Sequence, residues 1–351
     1  MLVNGKHYRT VWMEKGIVKL INQPLLPHKF EIYECRNHTD TAKAISTMVV
    51  RGAGAIGSAG GFGMAQAVLE SASDKYVEKA RERLKNTRPT AQNLFYSIDR
   101  VYSAFLNEAN KSNVGIRAFE EANTIADEDA AACRKIAEIG SSLIEHKARI
   151  LTHCNAGWLA FTDWGSALSP VFYAKREGKD PFVWVDETRP RLQGARLTAW
   201  ELKEENIRYA VIADNAAGYF ISRGEVDLII VGSDRIARNG DVANKIGTYE
   251  KAVLAYENDI PFYVAAPTAT IDWTCNEGRD IPIEERSEEE VLYVRGRDNS
   301  GKISAVQIAP NGSTACNPAF DVTPAKYITG IITERGLLKP EELGRISPDK
   351  I

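Results

Sequence analysis

Arg149-Ile150-Leu151-Thr152-His153-Cys154-Asn155-Ala156-Gly157 is the stretch on which the fold turns. A short apolar run stops abruptly at polar residues and a glycine, as a buried strand does where it exits a sheet. The same pattern recurs. Pro181–Val185 leads into Asp186-Glu187-Thr188-Arg189-Pro190, and Arg208–Ala213 into Asp214-Asn215-Ala216-Ala217-Gly218. Asp227–Val231 leads into Gly232-Ser233-Asp234-Arg235-Ile236, and Pro261–Ala265 into Ala266-Pro267-Thr268-Ala269-Thr270. Helix-like segments lie between, notably Leu192–Glu205 and Lys245–Asn258. Strands alternating with helices predict right-handed crossovers and a parallel sheet. Ligands bind such sheets beyond the carboxyl ends of the strands. One rim is therefore expected to gather a thiol, carboxylates, an arginine and amides, which favours a small-molecule site over a plain scaffold.

The chain before this stretch has a different texture. Val11–Ile21 alternates around Gly16 and reads as a small hairpin. From Thr39 to about Lys147 the pattern is mostly helical, with Pro89 near the start of a helix over Thr90 to about Leu106. Val114–His146 reads as one or two helices. The boundary falls near 125–148, giving an N-terminal mainly helical domain, 1–130, and a C-terminal domain, 131–351.

Composition narrows the function. The 351 residues are 44% hydrophobic, enough for a buried core, and 47 acids against 44 bases leave the charge near zero. Binding to nucleic acid through bulk positive charge is not expected. No run approaches the ~18 apolar residues of a membrane span, and Met1–Leu20 has no signal-peptide pattern. Five cysteines without CxxC spacing are not a disulfide framework. A soluble, cytoplasmic protein is expected. The five histidines lack HxH or HExxH spacing, so no metal site is expected.

Individual residues carry two readings each. Cys154 is either a buried structural cysteine or a thiol tuned by nearby backbone N–H groups. Asp234 follows Leu228-Ile229-Ile230-Val231 and is either a helix cap, or partner of Arg235, or a desolvated acid with a raised pKa. In the second case Arg235 is expected to point out of the pocket. Gly52-Ala53-Gly54-Ala55-Ile56-Gly57 fits G-x-G-x-x-G, but the preceding residues look helical, so a dinucleotide fingerprint is not expected. The glycines read instead as an anion-approaching loop beside Arg51, followed by close helix packing at Gly57, Gly60, Gly61 and Gly63. The run Glu284–Glu290 reads as a solvated face or loop without a functional role.

Taken together, several segments resemble the methylthioribose-1-phosphate isomerase family, which is related to the alpha, beta and delta regulatory subunits of translation initiation factor 2B. They are Met48-Val49-Val50-Arg51-Gly52-Ala53, Thr87-Arg88-Pro89-Thr90, Thr152–Gly157, Asp186–Arg196, Gly232–Ile236, Asn239–Tyr249, Ile281–Arg286 and Asn317–Pro324. They span nearly the whole chain in family order. The resemblance implies an α/β fold: an N-terminal mainly helical domain with a small β-hairpin, and a C-terminal Rossmann-like parallel sheet flanked by helices. It implies a homodimer with no required nucleotide or metal cofactor.

The implied reaction is aldose–ketose isomerisation of the sugar phosphate 5-methylthioribose 1-phosphate to 5-methylthioribulose 1-phosphate, in methionine salvage. The resemblance implies Cys154 and Asp234 as the catalytic pair. It implies Arg51, Gly52, Ala53, Arg88, Gln193, Asn244 and Lys245 as substrate-binding residues. Phosphate on the anomeric oxygen blocks free ring opening, so an acid is needed at the ring oxygen, and the dianion calls for cationic and backbone donors. Gly54 stands where the family has proline, and Trp158-Leu159-Ala160-Phe161-Thr162-Asp163-Trp164 replaces small residues. These changes are expected near the substrate, which leaves 5-deoxyribose 1-phosphate and ribose 1,5-bisphosphate open as substrates. A non-catalytic regulatory subunit is the competing class.

Overall fold

The computed structural model describes residues 1–88 and 91–347. Pro89 and Thr90, part of one quoted motif and of one expected helix start, lie outside the described residues.

The chain opens with a short antiparallel pair, β1 (Leu2–Val3) and β2 (Lys6–His7). The expected hairpin follows as β3 (Val11–Glu14) and β4 (Ile17–Ile21), with Lys15 and Gly16 at positive φ in the turn. A third strand, β5 (Ile32–Cys35), completes that sheet. Helices α1 (His38–Ser46), α2 (Ala53–Glu70), α3 (Asp74–Lys85), α4 (Gln92–Asn107) and α5 (Val114–Ser141) come next. No strand precedes the glycine pattern, because α1 does. Helix α2 is buried nearly all round, as a helix apolar on every face must be. A Cβ at Gly60 would come within 2.4 Å of Leu94, and one at Gly63 within 2.9 Å of Thr41. Helix α5 is continuous, since its buried stripe runs unbroken from Val114 to Gly140 with no proline inside.

The second half alternates as expected: β6 (Arg149–Thr152), α6 (Ser169–Arg176), β7 (Phe182–Asp186), a π-helical turn Gly194–Thr198 running into α7 (Ala199–Glu204), β8 (Arg208–Ile212), α8 (Ala217–Ser222) and β9 (Leu228–Val231). The chain then forms β10 (Arg235–Ala237), β11 (Val242–Lys245), α9 (Thr248–Glu257), β12 (Phe262–Ala265), β13 (Ile271–Asp272), α10 (Glu289–Leu292), β14 (Tyr293–Arg297), β15 (Ile303–Gln307), β16 (Phe320–Thr323), β17 (Gly330–Thr333) and β18 (Gly336–Leu338).

The seven-stranded sheet has the order β18-β17-β12-β9-β6-β7-β8. Its pairs are parallel except β17–β18. Its central strands are continuous apolar runs because both faces are covered. A four-stranded sheet, β13-β10-β11-β16, is the element the sequence reading lacked. It corrects the helix expected to begin at Lys245. That residue ends β11, and α9 starts only after Gly247, whose φ of 99° breaks the strand direction.

Three large apolar cores and two small clusters result among the described residues. One lies within Val11–Ala126, one within Leu151–Leu343, and a third joins Met1, Ile21 and Leu26 to the sheet and to Ile136 of α5. Among the described residues no helix is long and apolar enough to cross a membrane.

Candidate active site

The order of the large sheet creates the site. From β6 the chain moves outward through β7 and β8, then returns to β9 on the other side of β6. The gap between β6 and β9 is the topological switch point, where crevices open in such sheets. Cys154 lies two residues past Thr152, the end of β6. Asp234 lies three past Val231, the end of β9.

Cys154 is held on both sides. Its N–H donates to Thr188 Oγ1 at 2.8 Å, and its carbonyl accepts from Thr198 Oγ1 at 2.7 Å. Its φ of 66° aims the side chain out of the strand direction. Burial pushes the thiol pKa up, while Arg51 and Lys245 pull it down and Asp234 pushes it up again. The cysteine is thus buried and also sits among the charges of the site.

Asp234 differs from expectation. Instead of an apolar pocket it occupies the exposed wall of a cleft lined also by Gly52, Ala53, Arg88, Ala243 and Phe320. The apolar run ends three residues earlier, and by Asp234 the chain has turned into the second sheet, where its N–H reaches Ala243 O at 3.0 Å. Crowding by protein raises the carboxyl pKa, against Lys245, Arg51 and Arg88, with Glu284 adding to the rise. Arg235 directs Nη1 to Asp272 Oδ2 at 3.3 Å.

The cations converge from separate elements. Arg51 donates through Nη1 and Nη2 to Asn155 Oδ1 at 2.5 Å and Asn155 O at 2.8 Å. Gly52 caps α2 with φ 93°, and a Cβ there would lie 2.4 Å from Ala160 Cα, so only glycine fits. Lys245 is nearly buried. Its Nζ donates to Ala319 O at 2.7 Å and lies 4.4 Å from the centre of the Phe320 ring. Burial lowers its pKa, while Cys154 and Asp234 hold it up. Asn244 is turned to Thr248 Oγ1 at 2.9 Å. Gln193 is buried with Oε1 unpaired, in a recess shared with Gln23, Arg51 and Arg191. The geometry thus gathers Gly52, Ala53, Arg88 and Asp234 in one cleft and Arg51 with Gln193 in the adjoining recess. Cys154 and Lys245 lie within electrostatic reach of both.

The Glu284–Glu290 run is corrected. Glu284, Arg286 and Glu290 are half-buried parts of an ion-pair chain. Arg191 meets Glu290 at 2.6 Å, Glu290 meets Arg286 at 2.5 Å, Arg286 meets Glu284 at 3.1 Å, and Glu284 meets Arg88 at 3.4 Å. Burial raises the Glu290 pKa, but Arg286 and Arg191 outweigh it and bring it down to about 2. A lone arginine inside an acidic run was the available signal. The Gly54 and Trp158–Trp164 expectation is corrected in part, since Ala160 of that segment packs against Gly52 at the cleft. Trp158, Leu159 and Phe161 are core residues, and Gly54 faces Asp129 and Phe161, away from the cleft.

Sequence spacing also missed a buried cluster behind Cys154. His153 Nδ1 lies 2.7 Å from Asp186 Oδ2, and Nε2 lies 2.8 Å from Ile246 O. Lys251 Nζ lies 3.3 Å from the same Asp186 oxygen. Donor atoms of His153, Asp186 and Asp214 fall within 4.8 Å of one another. Asp214 already accepts the N–H groups of Thr188 and Arg189, and a lysine cation adjoins Asp186. These groups form a buried ion-pair network in which Asp186 Oδ2 is shared by His153 and Lys251 and Asp186 Oδ1 has no hydrogen-bond partner.

Sequence comparison places this architecture in a known class. The Initiation factor 2 subunit family matches residues 49–340, and the chain belongs to that family. Within it, the chain is 49% identical to the methylthioribose-1-phosphate isomerase of Methylorubrum extorquens, over 98% of this chain and 97% of the relative. It is 46% identical to that of Brucella anthropi over the full length of both. Among solved structures, the 5-methylthioribose 1-phosphate isomerase of Pyrococcus horikoshii superposes with a TM-score of 0.86 at 45% identity, covering 96% of this chain and 94% of that one. A protein titled translation initiation factor eIF-2B, subunit delta, from A. fulgidus gives 0.84 at 42% identity, covering 96% and 98%.

Proposed function

We propose that the protein is an aldose–ketose isomerase that converts 5-methylthioribose 1-phosphate to 5-methylthioribulose 1-phosphate, in methionine salvage. The observation that carries the reading is the cationic cleft at the sheet's switch point, with a carboxyl on its wall and a thiol within electrostatic reach, in a chain whose full-length relatives bear that enzyme's name.

In this reading Arg51, Arg88, Lys245 and the backbone of Gly52 and Ala53 receive the phosphate dianion. Gln193 and Asn244 orient sugar hydroxyls. Substrate filling the cleft expels water, which raises the Asp234 pKa further and keeps the carboxyl protonated. Asp234 gives that proton to the ring oxygen as the C1–oxygen bond breaks, and C1 is left as an oxocarbenium. Cys154, as thiolate, takes the C2 proton. The C2–H electron pair becomes the C1–C2 double bond, and the oxocarbenium π pair returns to the C1 oxygen. The resulting enol gives its hydroxyl proton to the Asp234 carboxylate and takes the Cys154 proton at C1, leaving a C2 ketone.

The raised thiol pKa favours a second route, direct hydride movement from C2 to C1 with Cys154 neutral throughout. Asp234 serves both routes identically. Turnover of the 1-phosphate tests the function, and also separates it from the regulatory-subunit reading that the A. fulgidus relative's title supports. Deuterium at C2 separates the routes, since it washes into solvent through a thiol and stays at C1 in a hydride shift.

The same proposal divides the chain at 130/131, with the first and second apolar cores, which lie on either side, as its basis. It also takes the protein as a cytoplasmic homodimer, which sedimentation analysis tests.

A further inference from the structure

Asn155 has an amide whose two ends are nearly the same shape, and only its neighbours decide which way it faces. On one side, Arg51 offers donors only. On the other, Glu201 of α7 is wholly buried. Glu201 Oε1 accepts from Asn155 Nδ2 at 2.8 Å and from Leu159 N at 3.2 Å, and Oε2 accepts from Trp158 N at 2.9 Å. Thr198 Oγ1 lies 3.2 Å from the same Asn155 Nδ2 and holds the Cys154 carbonyl. The π-helical turn Gly194–Thr198 leads directly into α7 and carries Thr198 three residues before Glu201.

We infer that Glu201 is a positioning residue that sets the aim of Arg51 through Asn155. At pH 8, where Glu201 is ionised, its carboxylate only accepts, so it must take the Nδ2 end of Asn155. That leaves Oδ1 for Arg51 Nη1, while the Asn155 carbonyl takes Nη2. Arg51 is thereby locked across the recess, with its free edge presented to an anion. The role cannot be filled by glutamine. Its single oxygen replaces two acceptors that meet Asn155 Nδ2, Leu159 N and Trp158 N, so its NH2 meets a donor on whichever side it faces, and on the Asn155 side it turns that amide over and sets Nδ2 against Arg51. The inference rests on the proposal that Arg51 receives the substrate phosphate.

The test compares Glu201→Gln, Arg51→Ala, their double variant and the swap Asn155→Asp/Glu201→Gln. KM for 5-methylthioribose 1-phosphate and the Kd of inorganic phosphate are the readouts. Glu201→Gln should raise both at least tenfold with kcat changed much less. In the Arg51→Ala background it should add almost nothing, because the effect passes through that arginine. The swap restores the donor–acceptor order and should recover most of the affinity. Unchanged KM and Kd in a folded Glu201→Gln variant, with Arg51→Ala impaired, overturn the Glu201 role alone. Unchanged values in Arg51→Ala overturn the phosphate assignment and this role with it. An effect of Glu201→Gln that persists undiminished without Arg51 also overturns the role. If Glu201→Gln does not fold, Asn155→Ser, which keeps the carboxylate, must reproduce the rise, and an unchanged KM there sinks the role.

Discussion

Glu284 and Arg88 meet at 3.4 Å at the cleft and join a loop of the C-terminal part to the helical N-terminal part. The pair acts on Asp234 in opposite senses, the glutamate raising its pKa and the arginine lowering it. Glu284 therefore occupies Arg88 while no phosphate is bound. Glu284→Gln removes a negative charge from an anion site and releases the arginine. Inorganic phosphate should bind severalfold more tightly in this variant at low salt, and the gain should shrink as salt screens it. Calorimetry showing equal or weaker binding would refute the competition.

Arg51 and Arg88 are expected to make charge-assisted bonds to the phosphate. Losing one should cost about 1.5–3 kcal/mol of binding. Arg51→Ala and Arg88→Ala should each weaken substrate and free phosphate together, by roughly ten- to a hundredfold. If phosphate affinity is intact in both, the cations serve another purpose.

Asp234→Asn keeps the side-chain shape but cannot deliver a proton. Turnover should collapse, with substrate affinity staying within about tenfold, as for an interaction made mainly in the transition state. The paired measurement of kcat and substrate Kd decides. Full turnover removes Asp234 from the chemistry, and lost affinity with intact kcat makes it a binding residue.

Cys154→Ser exchanges a thiol for a much weaker acid in the same hydrogen-bonded loop. Both loop contacts of Cys154 use its backbone, so folding should be retained. On the thiolate route turnover should fall by several orders of magnitude, whereas the hydride route predicts a far smaller loss, and alkylation of the native thiol should slow when substrate is bound. Near-normal turnover in the serine variant would exclude the residue from the reaction.

Burial pushes the Glu201 pKa up to about 7, despite bonds from Asn155, Leu159 and Trp158. The unfolded chain releases that proton near its ordinary value of 4.5. Between about pH 4.5 and 7 the folded state thus binds more protons, and stability falls as pH rises. Asp129, pushed up to about 6 by burial, acts in the same sense. Glu201→Gln is neutral throughout and removes only its own share. Urea unfolding from pH 5 to pH 8 should show wild type losing roughly 1–3 kcal/mol more than the variant. Parallel profiles would mean that Glu201 is ionised at both ends of the range.

Local chemistry explains what was legible in the sequence. The inner strands β6, β7, β9 and β12 appear as contiguous apolar runs because parallel strands are covered on both faces, and their ends and those of the edge strand β8 fall within a residue of those read. Cys154 and Asp234 stand out for the same reason, as polar breaks after such runs. Gly52 is legible because close backbone approach needs glycine, and Ala160 supplies that approach. Tertiary structure alone decided that β6 lies between β7 and β9, which sets two exits 80 residues apart side by side. It decided that Asp234 opens onto a cationic cleft, since the second sheet that turns it there is built from short, mixed strands with no periodic signature. It also linked Glu284 to Arg88 and Glu201, through Asn155, to Arg51. A side chain's type states what it can donate or accept. Its partner is set by which distant segments the packed core brings within hydrogen-bonding range, and residue spacing along the chain carries no record of that.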